Sequence, residues 1–240
     1  MTTAATTPDI FALWVYLART PLLWLTVTIL VYCACDRVAA ALKRAPLANP
    51  VLLSVCVIGL LVRATGTPYG VYFDGAQFIH FLLGPAPVAL AIPLYQNRRL
   101  VMRSILPMAC ALLAGSLTAM ASAILLARAL GAPASVVTSI APKSVTAAVA
   151  MGISSRLGGD PALTAVLVIL TGIFGAIIVT PLLNRLRITD LRARGFAAGL
   201  AAHGIGTARA FQVDPLAGTF AGIAMALNAL LTAVLAPLLL

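Results

Sequence analysis

The sequence predicts an all-α protein that crosses a membrane several times. Of its 240 residues, 62% are hydrophobic and only 9% are charged, whereas soluble domains average about 45–50% and about 25%. Four uncharged stretches exceed the roughly 20 helical residues that cross a hydrocarbon core; they are 75–97, 104–127, 161–184 and 215–240. Because lipid offers the backbone no hydrogen bonds, such segments are expected to be helices.

Seven to eight hydrophobic segments are predicted along the chain. They are 20–38, 47–63, 76–97, 104–127, 133–155, 161–184, 196–211 and 215–240. We expect 1–19 to be a polar tail and 20–240 to be one transmembrane transporter domain. No signal peptide is expected, because residues 1–11 lack a basic residue.

The net charge of +10 lies in short loops between apolar segments. The basic clusters are Lys43 and Arg44, then Arg98, Arg99 and Arg103, then Arg185, Arg187, Arg192 and Arg194. Basic loops of this kind anchor the cytoplasmic side of membrane proteins. We therefore interpret the charge as an orientation signal, and we expect no nucleic-acid partner.

The acidic residues are six aspartates, and each lies at or near the edge of an apolar segment. A transporter that binds Na⁺ or H⁺ on a carboxylate needs that group inside the membrane. The sequence offers no such carboxylate, which favours a substrate that is itself an anion.

The basic loops conflict with simple alternation of spans. If the loops around Lys43 and around Arg99 are cytoplasmic, the loop 185–194 falls on the opposite side. The conflict disappears if 133–155, which contains Pro142 and Lys143, enters and leaves by the same face. Alternatively, one N-terminal segment does not span.

An internal repeat points to the same segment. A shift of 57 residues aligns 85–100 with 142–157, so that Pro85 coincides with Pro142 and Arg99 with Arg156. We therefore expect repeats around 76–130 and 133–187. Repeats that carry helices interrupted by proline or glycine mark the substrate site of many transporters, and two interrupted segments are predicted to meet near the middle of the bilayer.

The stretch "SIAPKSVTAAVAM" is a candidate anion site. Pro142 is expected to end a half-helix at Ala141, because proline disfavours helix at the residue before it. Residues 143–146 would then begin the next half-helix, whose free N–H groups attract anions. Lys143, Ser144 and Thr146 would bind a small carboxylate there. The alternative is that Lys143 lies near a membrane face and extends into water.

The stretch "GFAAGLAAHGIGTARA" is the second candidate. It combines His203 with the small residues Gly204 and Gly206 and with the polar Thr207 and Arg209. His203 could carry a proton or donate to the substrate. A structural hydrogen bond between helices is an equal alternative, and Arg209 could instead anchor the protein at the membrane surface.

Other features indicate packing. Gly172 and Gly175 lie on one side of a helix with Ala176, which favours a close helix contact. The cysteines lie in apolar segments without metal-ligand spacing, and no catalytic motif is present. We therefore expect no metal, no cofactor and no enzymatic activity.

Four stretches together resemble the LrgB/CidB family of bacterial membrane proteins. They are "LLGPAPVALAIPLY", "SIAPKSVTAAVAMGIS", "GGDPALTAVLVILTGIFGA" and "RGFAAGLAAHGIGTARA". The resemblance implies an antiholin-like protein that affects murein hydrolases and lysis, or movement of small carboxylates, as in the related plastidal glycolate/glycerate translocators. The site residues it implies are Pro142, Lys143, Ser144, Val145, Thr146, His203, Gly204, Gly206, Thr207 and Arg209.

The chain departs from the family at two places. Members often have a proline two residues after the position of Thr146, where this chain has Ala148. Many have an acid soon after the arginine of the second motif, where this chain has Gln212. A coupling proton, if there is one, would therefore need His203 or the substrate.

The sequence thus predicts a transporter of pyruvate-, glycolate- or glycerate-type monocarboxylates that works by alternating access. We expect it in the bacterial cytoplasmic (inner) membrane, as a homodimer in the lipid bilayer. The alternative is an antiholin-like regulator of murein hydrolase export and lysis that acts with a small holin-like partner.

Overall fold

The structure, a computed structural model, describes residues 21–45, 48–81 and 91–240. The regular secondary structure of these residues is helical, so the all-α prediction is confirmed. The chain divides into two compact units, before and after residue 86. The predicted tail 1–19 and Pro85, which begins the first copy of the proposed repeat, lie outside the described residues.

The first unit contains three helices, α1 (Pro21–Ala41), α2 (Pro50–Ala64) and α3 (Tyr69–Phe81). α1 packs against both other helices, and its buried Trp24 meets Tyr72 of α3 edge to face. Asn49 begins α2, because its Oδ1 accepts a 2.9 Å hydrogen bond from the Val51 N–H.

The second unit contains eight described helices. They are α4 (Ala91–Gln96), α5 (Arg98–Arg103), α6 (Ile105–Ala129), α7 (Ala134–Ile140), α8 (Ala147–Arg156), α9 (Pro161–Arg185), α10 (Leu191–Val213) and α11 (Pro215–Leu239). The carboxylates of Asp160, Asp190 and Asp214 accept N–H groups at the starts of α9, α10 and α11. These three aspartates therefore cap helices at the segment edges, as the sequence suggested.

Four described helices are long and apolar enough to cross a membrane: Leu22–Ala41, Ile105–Ala129, Pro161–Arg185 and Pro215–Leu239. They confirm a multi-pass helical membrane protein. The count of seven to eight segments is not confirmed, because 133–155 forms two short helices and 196–211 lies within a broken one.

Helices α7 and α8 form a hairpin over 134–156, hairpin A, which packs along α9. Ser139 at the end of α7 and Ser154 near the end of α8 both lie beside Thr164. The Oγ1 atom of Thr164 is 3.1 Å from the Ser139 carbonyl oxygen and 2.7 Å from the Ser154 hydroxyl. Because 15 residues of chain separate the two serines, the segment must leave α9's first turns and return to them.

The tip of hairpin A lies further along α9. Val145, in the connection between α7 and α8, and Ala150, near the start of α8, pack together against Val168. Val168 is one turn beyond Thr164, so the chain advances along α9 between Ser139 and Val145 and returns through α8. Hairpin A therefore enters and leaves by the face at which α9 begins, which is the first of the two alternatives that the sequence left open.

Helix α10 is a second hairpin, hairpin B. Ala202 and His203 leave the helical conformation, with φ values of −128° and 42°. A Cβ on Gly206 would collide with the carbonyl oxygen of Ala198, although eight residues of straight helix would separate them by about 12 Å. The first arm (191–201) and the second arm (204–213) therefore lie side by side.

Hairpin B enters by the opposite face from hairpin A. Its tip, His203, meets Gly172 in the middle of α9, while Ala198 packs against Val179. Arg194, closer to the start of the hairpin, lines a small cavity with Leu183. Residues nearer the start of α10 thus meet residues nearer the end of α9.

Each hairpin is followed by a long helix that begins at an Asp-Pro pair, and these two helices, α9 and α11, run in opposite directions.

The path of the chain from α6 through hairpin A to α9 removes the conflict between the arginine-rich loops. α6 and α9 both cross between the faces, and hairpin A lies between them in the chain. The clusters at 98–103 and 185–194 therefore lie on the same face, while Arg128 and Arg156 lie at the other ends of α6 and hairpin A. Under the positive-inside rule the arginine-rich face is expected to be cytoplasmic.

Candidate functional site

The tips of the two hairpins meet along the same two turns of α9. Lys143, at the tip of hairpin A, lines a groove with Leu167 and Thr171. His203, at the tip of hairpin B, contacts Val168 and Gly172. These positions lie about 9–17 Å along the axis of α9 from its start, so the tips of both hairpins lie beside the inner turns of a helix that is long enough to cross a membrane.

The connection at the tip of hairpin A is not helical. α7 ends at Ile140, one residue before the end predicted from Pro142, but α8 begins only at Ala147. The prediction that 143–146 begins the second half-helix is therefore wrong. Thr146 has an extended backbone (φ −59°, ψ 144°) and precedes the first helical residue. Its side chain makes no capping hydrogen bond, which leaves the first N–H groups of α8 as donors.

Lys143 is half-buried and has no carboxylate partner among the described residues. Its Nζ is 3.4 Å from the Ser144 hydroxyl. The groove it lines is about 490 Å³ and otherwise mainly apolar, with walls from α9 and from Ala197 and Ala201 of hairpin B. A cation in such surroundings attracts anions strongly, because the local dielectric is low.

Asn228 of α11 ties the two tips together. Its Nδ2 donates to the carbonyl oxygens of Ser144 in hairpin A, at 3.3 Å, and of Leu200 in hairpin B, at 3.1 Å. Its Oδ1 accepts from the Ser116 hydroxyl of α6 at 2.5 Å. The buried amide thus supplies donors to carbonyls that the two helix breaks leave available.

His203 makes a structural hydrogen bond between helices. Its Nε2 is 2.9 Å from the carbonyl oxygen of Val168. Because a carbonyl only accepts, Nε2 carries the hydrogen and Nδ1 is an acceptor in the neutral ring. Gly172 makes room for this contact, since a Cβ there would lie 2.7 Å from His203 Cε1. The predicted close contact at Gly172 and Gly175 is confirmed, because a Cβ on Gly175 would collide with Ala202.

The rest of the second motif belongs to the second arm of hairpin B. The Thr207 hydroxyl donates to the carbonyl of His203 at 2.8 Å, and Gly206 allows the arms to approach. Arg209 lies almost two turns from the tip, lining a small cavity with Arg194. The structure therefore places the residues 142–146 and 203–207 where the two hairpin tips meet along α9. It does not bring Arg209 to Lys143.

Two features of the site were missed from the sequence. The reversal at His203 has a signal in "HGIG", where two glycines follow a histidine. Asn228 has a signal as well, because it is the single amide in an apolar helix of 25 residues, and polar groups inside membranes are usually functional or join helices.

Known proteins match most of the chain. The family described as LrgB-like matches residues 28–240. The uncharacterized protein YwbG of Bacillus subtilis is 35% identical over 216 residues, which are 90% of this chain and 96% of that protein. The holin-like protein CidB of Staphylococcus aureus is 32% identical over 218 residues, or 91% and 95% of the two chains. No solved structure matches.

Proposed function

The chain belongs to the LrgB-like family, and from this premise and the site geometry we propose that it carries small monocarboxylates across the bacterial cytoplasmic membrane. Pyruvate-, glycolate- and glycerate-type anions are the proposed substrates. One observation carries the proposal: Lys143 lies at the meeting point of two oppositely inserted hairpins, with no carboxylate partner among the described residues.

Substrate binding would rest on Lys143 and on the start of α8. The ammonium group would pair with the carboxylate, and the N–H groups of α8 would donate to it at the positive end of the helix dipole. The apolar groove walls suit a short carbon chain. A single binding cation fits a monoanion better than a dianion.

Transport would use the two hairpins as separate gates. Hairpin A and hairpin B enter from opposite faces, so opening one would expose Lys143 to one side while the other stays closed. Interrupted helices in oppositely oriented repeats are the usual framework for alternating access. A coupling proton would travel with the acid substrate or on the Nδ1 atom of His203.

The direct test is uptake of radiolabelled pyruvate and glycolate by proteoliposomes. Lys143→Gln should lower the initial uptake at least tenfold, because a charge-assisted hydrogen bond contributes about 1.5–3 kcal/mol. Lys43→Gln is the matched control, since Lys43 is the other lysine of the chain and is exposed outside this site. No saturable uptake by the wild type would refute transport; equal uptake by both variants would refute the assignment of Lys143.

The second candidate is an antiholin-like regulator of murein hydrolase release that acts with a small holin-like partner. Relatives in Staphylococcus aureus and Staphylococcus epidermidis are named holin-like protein CidB, and this name supports the second candidate more directly than transport. It predicts no solute-specific flux from the purified protein. It also predicts that deletion of the chain changes hydrolase release and lysis only in cells that contain the partner.

A further inference from the structure

A second groove lies beside hairpin B, on the side of α6. It has a volume of about 550 Å³ and runs between α6 and the first arm of hairpin B, with Phe220 of α11 at its floor. It shares Ala197 and Ala201 with the Lys143 groove. The two grooves therefore lie on either side of the same arm.

The mouth of this groove is polar and carries a net positive charge. Arg103, Ser104 and the Asp190–Arg192 pair line it. Arg192 is already paired with Asp190 through its Nε at 3.0 Å, whereas Arg103 is exposed and has no carboxylate within ion-pair distance among the described residues. The mouth lies on the arginine-rich face, where α6 and α10 both begin.

The body of the groove is apolar, and its floor is formed by the buried side chains of Met108, Phe196, Leu200 and Phe220, which pack against one another. Beyond the mouth it is lined on α6 by Pro107, Met108, Ala111 and Gly115, and on hairpin B mainly by Phe196 and Leu200. On α6 it extends from Pro107 to Gly115, which is eight helical positions or about 12 Å, more than a third of the roughly 30 Å hydrocarbon core.

These two parts suit one class of molecule. A small soluble anion would leave most of the apolar body unfilled, and a neutral lipid would make no use of Arg103. We infer that the groove binds an anionic phospholipid, with its phosphate at Arg103 and one acyl chain between α6 and hairpin B. Basic pockets between transmembrane helices on the cytoplasmic side bind anionic lipid head groups in this way.

The bound chain would affect the central site through hairpin B. It would pack against Phe196 and Leu200, and Leu200 is two residues before the reversal at Ala202 and His203. A lipid seated there would restrain the arm that also forms a wall of the Lys143 groove. The site is independent of the substrate, so its test does not depend on transport.

The test is native mass spectrometry of the full chain in detergent with dioleoyl phosphatidylglycerol or dioleoyl phosphatidylcholine. The wild type should retain several times more phosphatidylglycerol. Arg103→Gln should reduce that preference about fivefold, since a basic residue near anionic lipid contributes about 1 kcal/mol. Arg99→Gln is the matched control, because Arg99 is also exposed on α5 but does not line the groove.

A second pair of variants tests the acyl-chain position. Ala111→Phe would fill the groove and should reduce retention of both lipids, whereas Ala114→Phe places the same ring on an exposed position outside it. Equal retention of the two lipids by the wild type would overturn the proposal. Indistinguishable effects within either pair of variants would overturn it as well.

Discussion

Replacing Asn228 with leucine should loosen the junction between the two hairpin tips. Asn228 is 1% exposed, and leucine has a similar size but no polar atoms. The substitution removes the donors to Ser144 and Leu200 and the acceptor for Ser116. These groups would remain buried without their partner.

The expected loss of stability follows from these contacts. Hydrogen bonds between helices in membranes contribute about 0.6 kcal/mol each on average, so the three lost bonds amount to about 2 kcal/mol. For a chain of this size, about 1 kcal/mol shifts the thermal midpoint by about 2–4 °C. We therefore expect the midpoint of Asn228→Leu to fall by about 4–8 °C.

Thermal unfolding of the purified protein in detergent measures this change. Thr232→Val is the matched control, because Thr232 is also buried on α11 but makes only a 3.4 Å bond to Asn228. Its midpoint should fall by less than about 2 °C. If Asn228→Leu were no less stable than Thr232→Val, Asn228 would not hold the hairpin tips together.

Two further substitutions test the packing and the helix start. Gly172→Ala should lower the thermal midpoint, because its Cβ would displace the His203 ring from Val168. Gly152→Ala is the control and should not lower it, because a Cβ at this position would meet nothing within 4 Å. Equal midpoints of the two variants would contradict the contact between Gly172 and His203. Arg192 lowers the pKa of the Asp190 carboxyl to about 2, so the stability that this charge contributes is present above the ordinary pKa near 4 and is lost as the pH falls towards 2. The midpoint advantage of the wild type over Asp190→Asn should therefore disappear over that range, and a constant difference would contradict the assignment.

Local sequence signals predicted several parts of the site correctly. Pro142 marked the end of α7, because proline restricts the residue before it. The edge position predicted for Asp160 is the start of α9, where its carboxylate accepts the first free N–H groups. The loop arginines, taken with Pro142, made 133–155 one candidate for a segment that returns to its own face, but they left a non-spanning N-terminal segment as the alternative.

Hairpin B could not be found from hydrophobicity, because two short arms have the same composition as one spanning helix. Its reversal depends on the positive φ of His203, which tertiary contacts with Gly172 and Val168 stabilise. The role of Asn228 depends on Leu200, Ser144 and Ser116, which are 28, 84 and 112 residues away in the chain. The sequence marks Asn228 as an isolated amide in an apolar helix, but it does not show which distant groups this amide joins.

Equilibrium binding of a labelled monocarboxylate to the purified protein tests the central claim most directly, because it isolates Lys143 from any later step of transport. The wild type and Lys43→Gln should bind glycolate or pyruvate saturably and with equal affinity. Lys143→Gln should bind at least tenfold more weakly, since one charge-assisted hydrogen bond is lost. Equal affinity in all three proteins would contradict the claim that Lys143 between the hairpin tips is the anion site.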